Sequence, residues 1–223
     1  MTTFEARREM LPSPQIALWP ELSTISAMGF VLYGGTALAL RLGHRESIDF
    51  DFFSARPLDK ERLAKSPLFE NAKVIQDAPD TLTLLVSRAG GTVKVSFFGD
   101  HVPKRILGRV GEPEFTDDCV LRAASIDDLF ATKVKVVLDR AEAKDYRDIA
   151  ALLRAGALLE RALGAARTIY GPGYQPAESV KALSYFGDGD LATVNTSDRR
   201  LLTTAAAAVR SVPAVGLRSA DLS

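Results

Sequence analysis

Ser47-Ile48-Asp49-Phe50-Asp51-Phe52-Phe53 is the stretch on which the reading of this chain turns. Its apolar and acidic residues alternate with period two, the pattern of a strand with two unlike faces. Ile48, Phe50 and Phe52 are expected to point into a core. Asp49 and Asp51 then share the opposite face, roughly 6–7 Å apart along the strand. Two carboxylates side by side repel each other unless positive charge lies between them. A divalent cation supplies it, and Mg²⁺ in particular is held by one or two carboxylates together with substrate phosphate oxygens. Taken alone, Asp-x-Asp is equally the solvent-facing edge of an amphipathic strand.

The residues upstream sharpen the choice. Phe30 to Tyr33 reads as a short buried strand, Gly34-Gly35 as a tight turn, and Thr36 to Leu42 as a helix closed by Gly43. Glycines let backbone approach a phosphate closely, and a helix N-terminus offers unpaired N–H groups and a favourable dipole. Thr36 could cap this helix and also offer its hydroxyl to a phosphate. Arg41 and Arg45, four residues apart, could both reach triphosphate oxygens, or could be solvated charges at a helix end. The order strand, glycine turn, helix, Asp-x-Asp strand sets a phosphate cradle beside a metal site.

Working outward, Pro14 to Met28 and Leu58 to Leu68 suit helices, and Ala72–Gln76, Thr81–Ser87 and Thr92–Phe98 suit strands. Gly90-Gly91 marks a hairpin between the last two. From His101 to Asp118 the chain is rich in Pro and Gly and reads as a connector. Beyond it only helices are expected: Ser125–Arg140, Asp145–Arg154, Leu158–Tyr170, Ala177–Phe186 and Asp198–Val209, with a loosely ordered tail from Pro213. The expected division is an α/β core over 1–110 and a helical region over 111–223 that closes the cleft.

Composition bounds the function. Lys plus Arg equals Asp plus Glu at 28 each, so bulk charge does not make this a coat for nucleic acid. A single cysteine, Cys119, excludes an internal disulfide and fits a reducing cytosol. With only two histidines besides, a His/Cys zinc site is disfavoured. No apolar run approaches the ~20 residues of a membrane span, so a cytoplasmic protein with no membrane partner is expected.

The helix expected over Ser125–Arg140 carries a further signal. With Lys133 at the origin of a helical wheel, Ile126, Leu129, Phe130, Val136 and Val137 lie within roughly 60° of it. Arg140 lies about 20° away. Two cations in an apolar stripe require an anion, either an internal carboxylate or a bound phosphate. Asp145 and Asp148 follow in Lys144-Asp145-Tyr146-Arg147-Asp148. Asp145 is either an N-cap or the partner that orients Lys133 or Arg140.

Leu32-Tyr33-Gly34-Gly35-Thr36-Ala37-Leu38-Ala39-Leu40-Arg41 and His44-Arg45-Glu46-Ser47-Ile48-Asp49-Phe50-Asp51-Phe52-Phe53 resemble the AbiEii/AbiGii-type toxin family of the polymerase-β-like nucleotidyltransferase superfamily. The resemblance continues through Lys133, Arg140 and the Lys144-Asp145-Tyr146-Arg147-Asp148 step. It implies an α+β fold with a small mixed sheet followed by a helical region. It also implies transfer of a nucleoside monophosphate from an NTP to an acceptor hydroxyl, with release of pyrophosphate. Asp49 and Asp51 would hold Mg²⁺ or Mn²⁺, and Lys133 would contact phosphate. Gly34, Gly35, Thr36, Arg41, Arg45, Ser47 and Arg140 would bind nucleotide, supported by Asp145 and Asp148. The implied partners are an antitoxin and an acceptor that is RNA, such as the 3′ end of tRNA, or a protein side chain.

One position departs from the superfamily pattern. A third acidic residue is expected near Ser96, on the strand where Lys94, Ser96 and Phe98 share a face. A serine hydroxyl is a poor general base near pH 7. Asp100, just past the strand, is a possible substitute. Two rival readings therefore stand beside the toxin: a transferase acting on a small molecule such as an aminoglycoside, and a non-catalytic module that binds an NTP or a partner.

Overall fold

The computed structural model describes residues 2–99 and 108–223. The chain divides into two compact units. One comprises Met1–Arg105, Glu112–Ser125 and Ala220–Ser223, and the other Ile106–Gly111 and Ile126–Ser219.

The first unit is built on one mixed sheet. In chain order its strands are β1 (Thr3–Phe4), β2 (Val31–Tyr33), β3 (Asp49–Phe53), β4 (Ala72–Ala78), β5 (Thr81–Arg88), β6 (Gly91–Phe98), β7 (Glu114–Thr116) and β8 (Arg122–Ala123). They lie in the order β1-β7-β8-β2-β3-β6-β5-β4. Four helices join them: α1 (Ser13–Leu18), α2 (Ser23–Ala27), α3 (Gly34–Leu42) and α4 (Lys60–Ala64). β3 is central. It runs antiparallel to β2 and parallel to β6, and Phe50 and Phe52 are fully buried on its core face. Their rings continue an aromatic stack, with Phe52 5.6 Å from Phe97 and Phe97 5.3 Å from Phe30 between centroids. The Gly90-Gly91 hairpin is present, with Arg88 paired to Gly91 and Gly90 at φ +91°.

Several expectations change. The helix expected over Pro14 to Met28 is split into α1 and α2 by a 3-10 turn at Trp19–Leu22, where Pro20 has no N–H to give to an α-helical ladder. Pro67 likewise converts the end of the Leu58 to Leu68 helix into a separate 3-10 turn, Pro67–Phe69. Ile48 stands outside β3 and is 66% exposed, so the core face of the strand rests on Phe50 and Phe52 alone. β7 and β8 lie where no strand was expected. They hold three and two residues, too few for alternation to register, and their pairing with each other and with β1 and β2 defines them.

The second unit is helical: α5 (Ile126–Val136), α6 (Ala143–Arg154), α7 (Leu159–Tyr170), α8 (Pro176–Ala182) and α9 (Thr196–Ala208). α5 packs on α6 and α7, and α6 packs on α9. Asp128 anchors the segment that enters this unit, its carboxylate accepting hydrogen bonds from the backbone N–H of Val110 (2.8 Å) and Gly111 (3.1 Å). The stretch from Pro213 is bound, not loose. The Thr168 hydroxyl donates to the Val215 carbonyl at 2.6 Å, and Ser219 pairs with Arg109. A Cβ on Gly164 would stand 2.3 Å from the Pro213 carbonyl oxygen, so this glycine lets the tail lie against α7. Among the described residues, no helix is long and apolar enough to cross a membrane.

Candidate active site

Strand pairing lays out the polar face of the sheet. Asp51 is flanked by Tyr33 on β2 and Ser96 on β6, and Asp49 lies beside Lys94. Residues paired in register present their side chains to the same face. Asp49, Asp51, Lys94 and Ser96 therefore form a compact group opposite the phenylalanine core. The Lys94 ammonium is 3.0 Å from Asp49 Oδ2. Ser96 is buried, its hydroxyl 3.5 Å from that of Thr83 on β5.

The start of α3 adjoins this group. Gly34 has φ +74°, in the left-handed region, and a Cβ there would meet Asp51 Oδ2 at 2.8 Å. Both conformation and space therefore require glycine at this position. A Cβ on Gly35 would lie 2.6 Å from Arg45 Nη2 and 3.1 Å from Ser47 Oγ. The first turn of α3 thus runs between Asp51 on one side and Arg45 and Ser47 on the other.

Thr36 departs from its expected part. It is buried, and no side chain caps α3. Its hydroxyl donates to the Asp49 carbonyl and lies 2.8 Å from the Ser47 hydroxyl. These contacts tie the helix start to the beginning of β3, and so hold the glycine turn against the carboxylates. Arg45 donates to the Glu46 carbonyl at 2.8 Å.

Arg41 is engaged elsewhere in the unit. Its guanidinium pairs with Glu114 at 2.7 Å, donates to the carbonyls of Ala124 (3.0 Å) and Ala123 (3.2 Å), and lies 4.1 Å from the Phe4 ring centroid. Burial draws its pKa down from the usual value, against the opposing influence of Glu114. These partners account for Arg41 as the tie between α3 and the edge formed by β1, β7 and β8.

In the second unit, Lys133 is buried on α5 with two carboxylates on its ammonium, Asp145 Oδ1 and Asp148 Oδ2, each at 2.7 Å. Arg140 Nε reaches Asp145 Oδ2 at 2.8 Å. Asp145 therefore orients both cations and does not cap α6, which begins at Ala143 after Glu142. Arg140 lies beyond the helix and outside its apolar stripe. α5 ends at Val136, and the Arg140 side chain is 44% exposed, so only Lys133 lies in the apolar stripe. Burial would raise the Asp145 pKa, but hydrogen bonds and charge from Arg140 and Lys133 outweigh it and hold the carboxyl below its ordinary value.

Asp49 and Asp51 suit a hard divalent cation. They are oxygen donors sharing a half-exposed strand face, beside a glycine turn that leaves room at Asp51. Among the described residues no three His, Cys, Asp or Glu side chains group to hold a metal alone. Asp100 lies outside the described residues. Lys94 is the neighbour that sequence reasoning passed over. Its face was legible from period two, but its place beside Asp49 depends on the pairing of β3 with β6.

A protein from H. pylori, solved as a candidate nucleotidyltransferase, superposes with a TM-score of 0.58 at 17% identity, over 86% of this chain and 91% of its own. MenT4, the nucleotidyltransferase toxin Rv2826c from Mycobacterium tuberculosis H37Rv, does so with a TM-score of 0.54 at 14% identity, over 88% and 91%. At these identities the likeness is one of fold. An uncharacterized protein of Aquifex aeolicus (strain VF5), aq_aa25, is 31% identical over 128 residues, 56% of this chain. The match spans 58% of that relative's length. The family model described as nucleotidyl transferase AbiEii toxin, type IV toxin–antitoxin system, matches residues 24–201, and the chain therefore belongs to that family.

Proposed function

We propose that this chain transfers a nucleoside monophosphate from an NTP to an acceptor hydroxyl, as the toxin of a toxin–antitoxin pair in the cytoplasm. The observation that carries this reading is the juxtaposition of Asp49 and Asp51 on one strand face with the glycine start of α3. Asp49 and Asp51 would hold Mg²⁺ or Mn²⁺ together with the triphosphate. When bound, that ion supplies positive charge to the phosphate oxygens and the departing pyrophosphate. The N–H groups of Gly34 and Gly35 receive the β- and γ-phosphates, which the α3 dipole favours. Arg45 adds charge over Gly35, and Ser47 fixes the turn through Thr36. The acceptor oxygen attacks the α-phosphorus in line. A new O–P bond forms, the bond to the bridging oxygen of pyrophosphate breaks, and the acceptor's proton leaves to water. Arg41 has a structural part instead.

The acceptor on this reading is RNA, with tRNA and protein side chains as the arms of the test, and a cognate antitoxin is the protein partner. Each α-labelled NTP is incubated with the protein, Mg²⁺ and cellular RNA, protein and small-molecule fractions. Label is expected in a macromolecular fraction, dependent on metal. Label confined to metabolites would assign a small-molecule transferase. The position of Ser96 favours a second reading, a module that binds an NTP without turning it over. NTP binding with no labelled product in any fraction would establish it.

A further inference from the structure

In-line transfer to phosphorus places demands on positive charge at two points. Charge is needed where the pyrophosphate departs and where the acceptor oxygen attacks. A pair of metal ions about 3.5–4 Å apart is one way to meet both. A second ion needs ligands of its own, beyond those that seat the first. On this sheet the place beside Asp51 on the neighbouring strand belongs to Ser96, a neutral hydroxyl. The described residues include no group of three potential ligands.

The adjoining place holds a cation already. β6 runs parallel to β3, so Lys94 stands in register with Asp49, and its ammonium is 3.0 Å from Asp49 Oδ2. Strand alternation fixes this side: Val93, Val95 and Phe97 are buried in the core, which turns Lys94 toward the carboxylates. The pair has little to do with stability. Lys94 is 41% exposed and Asp49 34%, and ion pairs so open contribute little to folding. An ammonium is a compact point charge with three donors on a flexible stem. While one N–H holds Asp49, the others remain chemically suited to an oxygen that is gaining negative charge.

We propose that Lys94 takes the place of a second metal ion, as a catalytic residue whose ammonium bridges Asp49 and the attacking oxygen of the acceptor. This deepens the transferase reading and rests on it. Lys94 acts in the step by its charge alone. The acceptor's proton goes to water as the O–P bond forms and pyrophosphate leaves. The protein then works with a single divalent ion, which enters with the NTP.

The test counts ions and measures rates. Mn²⁺ bound per chain is titrated by electron paramagnetic resonance in the presence of an α,β-methylene NTP, and single-turnover transfer is followed with labelled NTP. Wild type is expected to bind one Mn²⁺ with the analogue. Lys94→Met keeps the stem and removes the charge. It should slow transfer about 10²-fold, in the range for losing one group that stabilises developing charge, while analogue affinity changes by less than about threefold. Lys94→Arg should restore part of the rate. In Lys94→Ala/Ser96→Asp a second Mn²⁺ should appear, because the displaced cation and the added carboxylate create room and ligands for it. Two Mn²⁺ in an active wild type would overturn this inference alone, and loss of one of them in Asp100→Asn would assign the missing ligand to Asp100. Transfer by Lys94→Met within about twofold of wild type would overturn it equally. Absence of both transfer and analogue binding in the wild type would overturn the transferase reading and this inference with it.

Discussion

Two groups of aspartates divide the chemistry of this protein between its two units. Asp49 and Asp51 lie on a half-exposed strand face, one of them touched by a half-exposed lysine. Asp145 and Asp148 are fully buried, with Lys133 between them and Arg140 on Asp145. The same side chain serves opposite ends in the two places. Where water and a substrate can reach the carboxylates, their charge is available to an incoming cation. Where they are sealed with cations of the same chain, their charge is spent on holding helices together. A buried pair of this kind is no certain gain over apolar packing, but breaking it by removing one partner is strongly destabilising.

The sharpest way to break the comparison is to neutralise the open pair. Asp49→Asn and Asp51→Asn should each reduce transfer by about 10³-fold or more, at the upper end of the effect of losing one preorganised electrostatic group. Their unfolding midpoints should stay close to wild type, since neither carboxylate is buried. Single-turnover assays and thermal unfolding on the same preparations check both halves. Near-normal transfer by either variant would remove it from the site.

The closed cluster should respond in stability first. Lys133→Met takes one ion-pair partner from each of the buried carboxylates of Asp145 and Asp148, and is expected to destabilise by about 3–5 kcal/mol. Denaturant unfolding without nucleotide measures this. A change below about 1 kcal/mol would show that the carboxylates do not depend on Lys133, and would return it to the phosphate contact implied by the resemblance.

Acid should erase part of that difference. The folded Asp145 pKa is depressed, by Arg140 and Lys133 acting against burial. Its stabilising contribution is therefore present above the unfolded carboxylate value near pH 4. It is lost as pH falls through the lower folded value. Asp145→Asn should be less stable than wild type at pH 7, with the gap narrowing below about pH 4. A gap that held constant down to pH 3 would mean that the carboxylate's charge does not carry the effect. Comparing variant with wild type isolates this group from Asp118 and Asp221, whose pKa values are also lowered.

The smallest effect is expected at Ser96. It is buried beside Thr83 and carries no charge. Ser96→Ala should keep transfer within about tenfold of wild type, less than the 10²–10⁴-fold typical of a general base. Complete loss would give the hydroxyl a direct part in the chemistry.

The sequence by itself determined what lies within a few residues along the chain. Period two in Asp49-Phe50-Asp51-Phe52 separates a core face from an acidic face. Gly34-Gly35 announces a turn where a side chain would collide with Asp51 and Arg45. Lys133 in an apolar stripe announces that some anion must meet it. Tertiary structure alone decided which groups meet. The partner of Asp49 is 45 residues away in Lys94, through the register of two parallel strands. Arg41 pairs with Glu114 because β7 and β8, too short to be seen in sequence, complete the sheet beside α3. Alternation and turn chemistry are properties of neighbouring residues, whereas a charge's partner is set by the packing of distant segments, and no local pattern encodes that choice.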